Sequence, residues 1–228
     1  MKKINLHHLI SIVALSGVLT ACGSDDKNSN ATYEIEVTNL THSQPLSPVG
    51  VLIHSEQTHI WSIGSRASVA LEDLAEGGSN LALLDSEDEY LQATESGEGL
   101  IMPGGYEAIS ITVANAKSEQ YLSLASMLVN TNDGFTGISG LNVSELNNGD
   151  SMTLSLGVYD AGTETNDELA STIPGQMGEG FNTERLDTNV VSRHPGVVGR
   201  DDGYAESGLT SVHKFDNPAI SVTITRTN

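Results

Sequence analysis

The sequence predicts an all-β protein, an antiparallel β-sandwich of about eight strands with one or two short helices and long loops. Three observations lead to this prediction. Several segments have the residue types and the period of β-strands, and short polar or glycine-containing connections separate several of them. Residues 161–211, by contrast, contain few long apolar runs. A single domain is expected, because the chain shows no internal linker or repeat.

The first part of the chain predicts two strands and then a helical region. In residues 33–40, apolar residues alternate with two glutamates, which is the period of a half-buried strand. Residues 49–54 form a second β-prone run. Residues 67–93 are rich in Ala, Leu, Glu and Asp with little β-branching, which favours one or two short helices that stop at Gly77 and Gly78.

The second part of the chain is again rich in β-prone residues. Its predicted strands are residues 108–115, 121–129, 135–143, 152–160 and 219–226. Between the last two, residues 161–211 are rich in Gly, Pro, Asn and Asp, which indicates long loops. Loops of that length in a compact domain are usually functional or held by a ligand.

The N-terminus has the pattern of a bacterial lipoprotein signal. Lys2 and Lys3 precede an apolar run that is short for a membrane span, and the sequence LTAC then ends at Cys22. A plain signal peptide with an incidental cysteine is the alternative. The predicted segments are a signal peptide at 1–21, a lipidated Cys22 with a flexible tether at 22–32, and one domain at 33–228.

Composition restricts the partners and the location of the protein. The net charge of −20 repels phosphate backbones, so nucleic-acid binding is not expected, whereas divalent cations suit such a surface. The predicted contact with a membrane is made through the lipid anchor. Cys22 is the single cysteine, so its lipidation leaves no thiol for a disulfide or a zinc site. Gly23 after it gives no retention signal of the aspartate type, which favours the outer membrane of a Gram-negative cell envelope; periplasmic or surface exposure stays open.

Two acidic loops are the main candidates for a functional site. Residues 130–135 and 159–168 each begin where a predicted strand ends, so both are expected at one end of the sandwich. Carboxylate and carbonyl oxygens from neighbouring strand ends suit Ca²⁺, which takes six to eight oxygen ligands. Ordinary turns are the alternative, because Asp-Gly is a strong hairpin signal and Asn and Asp are common in loops.

Four stretches resemble the spondin domain, the N-terminal module of F-spondin and mindin that also occurs in bacterial secreted proteins. They combine a Trp-x-x-Gly-x-x-Ala-Ser block, an Asn-Asp-x-Phe loop and the sequence Asp-Ala-Gly-Thr. The resemblance covers most of residues 33–226 in the same order. The stretches are residues 59–78, 126–138, 159–168 and 217–226.

The resemblance implies a sandwich of about eight strands with one calcium ion at one end. It assigns the aspartate before the aromatic residue and the aspartate of Asp-Ala-Gly-Thr as ligands, which here are Asp133 and Asp160. A third family ligand is a glutamate on the strand that leads into the first loop, and this sequence lacks it at the matching position. Asn115 and Glu119 are the candidates closest to that position.

The sequence therefore predicts a lipid-anchored protein of the cell envelope whose calcium-binding spondin domain is a binding or adhesion module and not an enzyme. The animal relatives are matrix and adhesion proteins, but their partners do not transfer to a bacterial protein by resemblance alone; an extracellular protein or a glycan is the expected class of ligand. One alternative is a metal-assisted hydrolase, in which Asp133 and Asp160 hold a catalytic ion and His194 is the acid or base. The other is a purely structural envelope component.

Overall fold

A computed structural model of the chain describes residues 30–114, 116 and 119–228. Among these residues, ten strands form two antiparallel sheets, and two short helices pack beside one of them, which confirms the predicted all-β sandwich. The elements are β1 (Ala31–Asn39), β2 (Gly50–His54), α1 (Val69–Gly77), α2 (Leu81–Leu84), β3 (Leu91–Ser96), β4 (Tyr106–Val113), β5 (Tyr121–Met127), β6 (Gly134–Asn142), β7 (Ser151–Leu156), β8 (Val158–Asp160), β9 (Ser192–Arg193) and β10 (Ile220–Arg226).

The two sheets have four and six strands. The strand order is β4-β1-β10-β7 in the first sheet and β3-β2-β5-β6-β8-β9 in the second. Since β10 lies between β1 and β7, the C-terminal segment is part of the fold. None of the helices that the structure describes has the length and apolar character needed to cross a membrane.

Burial explains why the strands differ in sequence pattern. Strand β1 points Ile35 and Val37 into the space between the sheets and Glu34 and Glu36 into solvent, so it alternates as predicted. Strand β2 is buried along its whole length, because α1 and α2 cover the outer face of the six-stranded sheet. On that face Leu52 packs in one cluster with residues of α1. A continuous apolar run is expected where both faces of a strand are covered.

Helix α1 begins and ends as its sequence predicts. The Ser68 hydroxyl accepts a hydrogen bond from the Leu71 N–H at 3.1 Å, which caps the first turn. At the other end Gly78 has φ of 71°, and its N–H donates to the Leu74 carbonyl. The predicted stop at Gly77 and Gly78 is therefore confirmed.

Three strand predictions differ from the structure. Residues 152–160 are predicted as one strand, but the chain leaves the first sheet at Gly157 and enters the second, so β7 and β8 are separate. A Cβ at Gly157 would lie 2.7 Å from the ends of the Arg193 and Asn217 side chains, so a larger residue at this crossing would displace them. Strand β3 occupies the end of the predicted helical region, and β9 is too short to show a period.

Both predicted acidic loops lie at one end of the sandwich. We call this end, which carries residues 128–133 and 161–191, the loop end. Here β5 passes into β6, and β8 ends at Asp160 beside Gly134. Strand β1 also ends here, so its first residue, Ala31, lies at the opposite end.

Candidate metal centre

Asp133 and Asp160 lie side by side at the loop end. Gly134, the first residue of β6, pairs with Asp160, the last residue of β8. The Asp133 carbonyl accepts a hydrogen bond from the Ala161 N–H at 3.2 Å. Both aspartates are buried, with exposed fractions of 0% and 4%. The structure thus brings together the two residues that the sequence singles out.

The two carboxylate oxygens of Asp133 have different surroundings. Oδ2 accepts hydrogen bonds from the Thr163 N–H at 2.7 Å, the Glu164 N–H at 3.1 Å and the Thr163 hydroxyl at 3.3 Å. Oδ1 is buried and has no hydrogen-bond partner among the described residues. Burial, and then the negative charge of Asp160, raise the pKa of Asp133 to about 7.

Asp160 is held by its own loop. Its Oδ1 accepts from the Gly162 N–H at 2.8 Å, and its Oδ2 accepts from the Asn166 side-chain amide at 2.7 Å. Burial raises the pKa of Asp160. Gly162 has φ of +69°, and a Cβ there would lie 2.5 Å from the Val190 carbonyl oxygen. The Asp-Ala-Gly-Thr sequence therefore supplies a carboxylate, a tight turn and a donor in succession.

Asparagine side chains connect the first loop to its neighbours. The Asn132 amide donates to Asp167 Oδ1 at 3.2 Å, and its oxygen accepts from the Glu168 N–H at 3.3 Å. Asn130 donates to the Ser43 carbonyl at 2.9 Å. Both asparagines look like simple turn formers in the sequence, but Asn132 joins the two acidic loops and Asn130 joins the first loop to the segment before β2.

Further buried acids lie in this region, among them Glu76, Glu164 and Glu168. Glu76, in the last turn of α1, is 0% exposed, and its Oε2 accepts from the Asn182 N–H at 3.1 Å. Its Oε1 is buried without a hydrogen-bond partner in the described part of the chain. Glu164 is 9% exposed, and burial followed by the charges of Glu76 and Asp133 raises its pKa to about 8.

Sequence reasoning did not single out either Glu76 or Glu164 as a ligand: Glu164 lies within the predicted acidic loop 159–168, whereas Glu76 lies outside both loops. Glu76 lies in an acidic segment of the predicted helical region, where a solvated position is the ordinary expectation. The one available signal is its spacing, because Leu71, Leu74 and Ala75 are all buried on the same short helix. An acid immediately beside that apolar face can be buried with it.

The Spondin_N family model matches residues 29–180, about two thirds of the chain. This chain belongs to the spondin domain family. No curated protein matches it. The family is one of non-enzymatic extracellular modules, which is compatible with a protein that is not an enzyme.

The structure corrects one predicted ligand of the spondin domain. Glu119 precedes β5, whereas Asp133 follows it, so the two residues lie at opposite ends of a seven-residue strand. That separation is roughly 20 Å, which excludes a shared ion. The Glu119 side chain is exposed, and its carbonyl accepts from the Gln92 amide at 3.0 Å. Asn115 and Cys22 lie outside the described residues.

The donor set of the spondin domain fits a hard cation such as Ca²⁺. Buried carboxylates need a cation or a proton, and the oxygen of Asp133 without a partner among the described residues is a free ligand atom. The described residues contain no group of three or more His, Cys, Asp or Glu side chains already arranged to hold a metal. A cation held by Asp133 and Asp160 would therefore need further oxygen ligands.

The structure describes the surroundings of His194, the predicted acid or base of the hydrolase alternative. Its Nδ1 accepts a hydrogen bond from the Gly196 N–H at 3.0 Å, and its ring packs edge-on against Phe215. The residue is 8% exposed, and burial lowers its pKa to about 4. The imidazole is therefore neutral at pH 7; its Nδ1 anchors the loop, and its Nε2 is buried without a hydrogen-bond partner among the described residues.

Proposed function

We propose that this protein is a calcium-binding spondin domain that a lipid anchor holds at the bacterial cell envelope, where its loop end binds an extracellular protein or a glycan. The observation that carries the calcium proposal is the pair of buried aspartates, Asp133 and Asp160, with one oxygen that lacks a partner among the described residues. A carboxylate in that state is destabilising unless a cation or a proton neutralises it.

Calcium would be held by Asp133 and Asp160 and would neutralise charges that otherwise repel each other. It would pin the two loops of a chain whose single cysteine, Cys22, is assigned to the anchor. If free calcium exceeds the dissociation constant tenfold, binding adds about 1.4 kcal/mol to the free energy of unfolding. That is a useful fraction of the stability of a typical domain.

The position of β1 supports an outward-facing loop end. Cys22 precedes Ala31 by eight intervening residues, which reach about 30 Å when fully extended. Ala31 lies at the end of the sandwich opposite to Asp133. An anchor at Cys22 would therefore hold the domain by its far end and leave the loop end accessible, in the outer membrane of a Gram-negative envelope as we propose.

Exposed apolar residues at the loop end support a binding role. Leu100, Met102 and Tyr106 line one shallow depression, and each is more than half exposed. This segment joins the end of β1, where the Gly104 N–H donates to the Asn39 carbonyl at 3.0 Å. Exposed apolar patches with polar rims are typical of interaction sites.

The calcium proposal is tested by thermal unfolding of the soluble domain in calcium and in chelator. We expect calcium to raise Tm of the wild type, and Asp133→Asn and Asp160→Asn to remove that rise. Asp85→Asn is the matched control, because Asp85 is exposed. No calcium-dependent change in the wild type would contradict the site, and a change that both variants keep would place it elsewhere.

The anchor is tested separately in cells. We expect a clickable fatty-acid label to be incorporated into the wild-type protein and the protein to fractionate with membranes. Cys22→Ser should remove both the label and the membrane association. A Cys22→Ser protein that stays in the membrane fraction would contradict lipidation at this residue.

A further inference from the structure

Glu76 is an anomaly of helix α1. Its side chain is fully buried, and its Oε1 has no hydrogen-bond partner among the residues that the structure describes. It lies in the last turn, where the negative end of the helix dipole disfavours another negative charge. The sequence of α1, VALEDLAEG, contains no basic residue that could compensate.

Glu72, one turn earlier on the same helix, is the instructive contrast. It is also buried, but Arg185 binds it with two hydrogen bonds, from Nε at 2.8 Å and from Nη2 at 2.5 Å. The remaining donor Nη1 of Arg185 bonds the Asn189 side chain at 2.6 Å. Arg185 is thus occupied elsewhere and gives Glu76 only the weaker influence of its charge. One buried glutamate of α1 has a cation, and the next lacks one in direct contact.

Glu76 belongs to the same polar region as Asp133. The Thr163 hydroxyl donates to Asp133 Oδ2 at 3.3 Å and also lies close to the Glu76 carboxyl. The next residue, Glu164, donates its N–H to Asp133, and its side chain is close enough to feel the charges of both Glu76 and Asp133. Two buried carboxylate oxygens, each lacking a partner within the described residues, therefore flank one short segment.

We propose that Glu76 is a third carboxylate ligand of the cation site, so that one divalent cation joins helix α1 to the two acidic loops. The inference rests on the proposed calcium site and extends it to an element that sequence reasoning assigned no role. Like charges repel, so carboxylates with no cation between them settle apart. The described residues contain no three acids already arranged as a ligand group, so the proposal requires the Glu76 side chain to turn toward the bound cation.

In this proposal the cation stabilises the position of helix α1 as well as the two loops. Helix α1 covers the outer face of the six-stranded sheet through Leu71 and Leu74. A cation bound by Glu76 and Asp133 would fasten the last turn of this helix to the end of the sheet. Calcium should therefore slow amide exchange in α1 as well as in the two loops.

The test is calcium titration by calorimetry on the wild type, Glu76→Gln, Glu72→Gln and Asp133→Asn. We expect Glu76→Gln to weaken calcium affinity at least about tenfold, because affinity follows the number of charged ligands. Glu72→Gln is the matched control: it should lower Tm with and without calcium, since it breaks the bond to Arg185, but keep calcium affinity. Hydrogen exchange is the second readout, and calcium should protect α1 amides in the wild type but not in Glu76→Gln.

The outcomes separate this inference from the proposed function. If Glu76→Gln binds calcium as tightly as the wild type while Asp133→Asn does not bind, Glu76 is not a ligand and the site itself stands. If the wild type does not bind calcium, both proposals fail. Should Glu76→Gln not fold, Glu76→Asp keeps the charge on a shorter side chain, and wild-type affinity in that variant would also count against Glu76 as a ligand.

Discussion

The space between the two sheets and the loop end both contain fully buried side chains, but these side chains differ in their chemistry. Between the sheets, apolar residues such as Ile35, Leu124 and Val222 form one cluster. The Tyr33 hydroxyl in this cluster has a hydrogen-bond partner, because it donates to the Gln120 side chain. The loop end instead buries carboxylates, and two of their oxygens have no partner among the described residues.

This difference means that the residues that stabilise the fold are not the residues that form the candidate site. Burial of apolar area stabilises the sandwich whether or not a metal is bound. The carboxylates at the loop end destabilise the domain unless something neutralises them. Substitutions between the sheets should therefore change stability independently of calcium, and substitutions at the loop end should change the response to calcium.

The largest effect is expected for Leu124→Ala, between the sheets. Leu124 is fully buried, so its truncation leaves a cavity and should lower the free energy of unfolding by about 3–5 kcal/mol. Urea denaturation in calcium and in chelator measures this loss. Equal losses in both solutions support the separation of the two regions, and a loss seen only in chelator would contradict it.

The second effect concerns pH and His194. Burial lowers the pKa of this residue to about 4, below its ordinary value of 6.5, so the folded state binds fewer protons between these pH values than the unfolded state. The contribution of neutral His194 to the free energy of unfolding is fully present above pH 6.5. It is lost as the pH falls toward 4, by about 3 kcal/mol in total. His194→Gln should show a shallower loss of stability over this range, measured by denaturation at stepped pH. Identical slopes in both proteins would show that His194 does not titrate as described.

The third effect concerns Gly162 in the loop of Asp160. Alanine there would place a Cβ 2.5 Å from the Val190 carbonyl oxygen at a φ of +69°. We expect a loss of about 2–3 kcal/mol together with weaker calcium binding. Gly149→Ala is the control, because Gly149 also has positive φ but no atom within 4 Å, and it should cost about 1 kcal/mol and leave calcium binding unchanged. Equal effects of the two substitutions would argue against a role for this turn in the site.

Much of the fold can be predicted from local sequence. Apolar and polar residues alternate in β1 because one of its faces is exposed to solvent. Gly78 ends α1 because the residue at that position adopts the left-handed backbone conformation. The break at Gly157 is not predictable in this way, because the Asn217 side chain that packs against it lies sixty residues further along the chain.

The same distinction applies to the candidate site, because some of its residues can be predicted from the sequence and others cannot. Asp133 and Asp160 follow from sequence, because each lies in a motif that resembles the family. Glu119 is wrong as a ligand, because counting along the chain does not reveal that β5 separates it from the loop end. Glu76 comes from a helix packed across the sheet, and only the tertiary structure brings it near Thr163.

The smallest effect is expected for Asp133→Asn, which should change the free energy of unfolding in opposite directions in chelator and in calcium. In chelator at pH 8, removal of this buried charge should stabilise the domain by about 1–2 kcal/mol, because the carboxylate carries a desolvation penalty. In calcium the same substitution should destabilise it, because the ligand is lost. Urea denaturation in the two solutions checks the reversal, and a variant that is less stable in both would indicate that the three hydrogen bonds to Oδ2 outweigh the buried charge.

The most direct test of the central claim is the equilibrium binding of calcium to the purified domain, measured by titration calorimetry. Our account predicts that one calcium ion binds per chain and that Asp133→Asn abolishes this binding while Asp85→Asn preserves it. Absence of binding to the wild type, or unchanged binding to Asp133→Asn, would contradict a calcium site at the loop end.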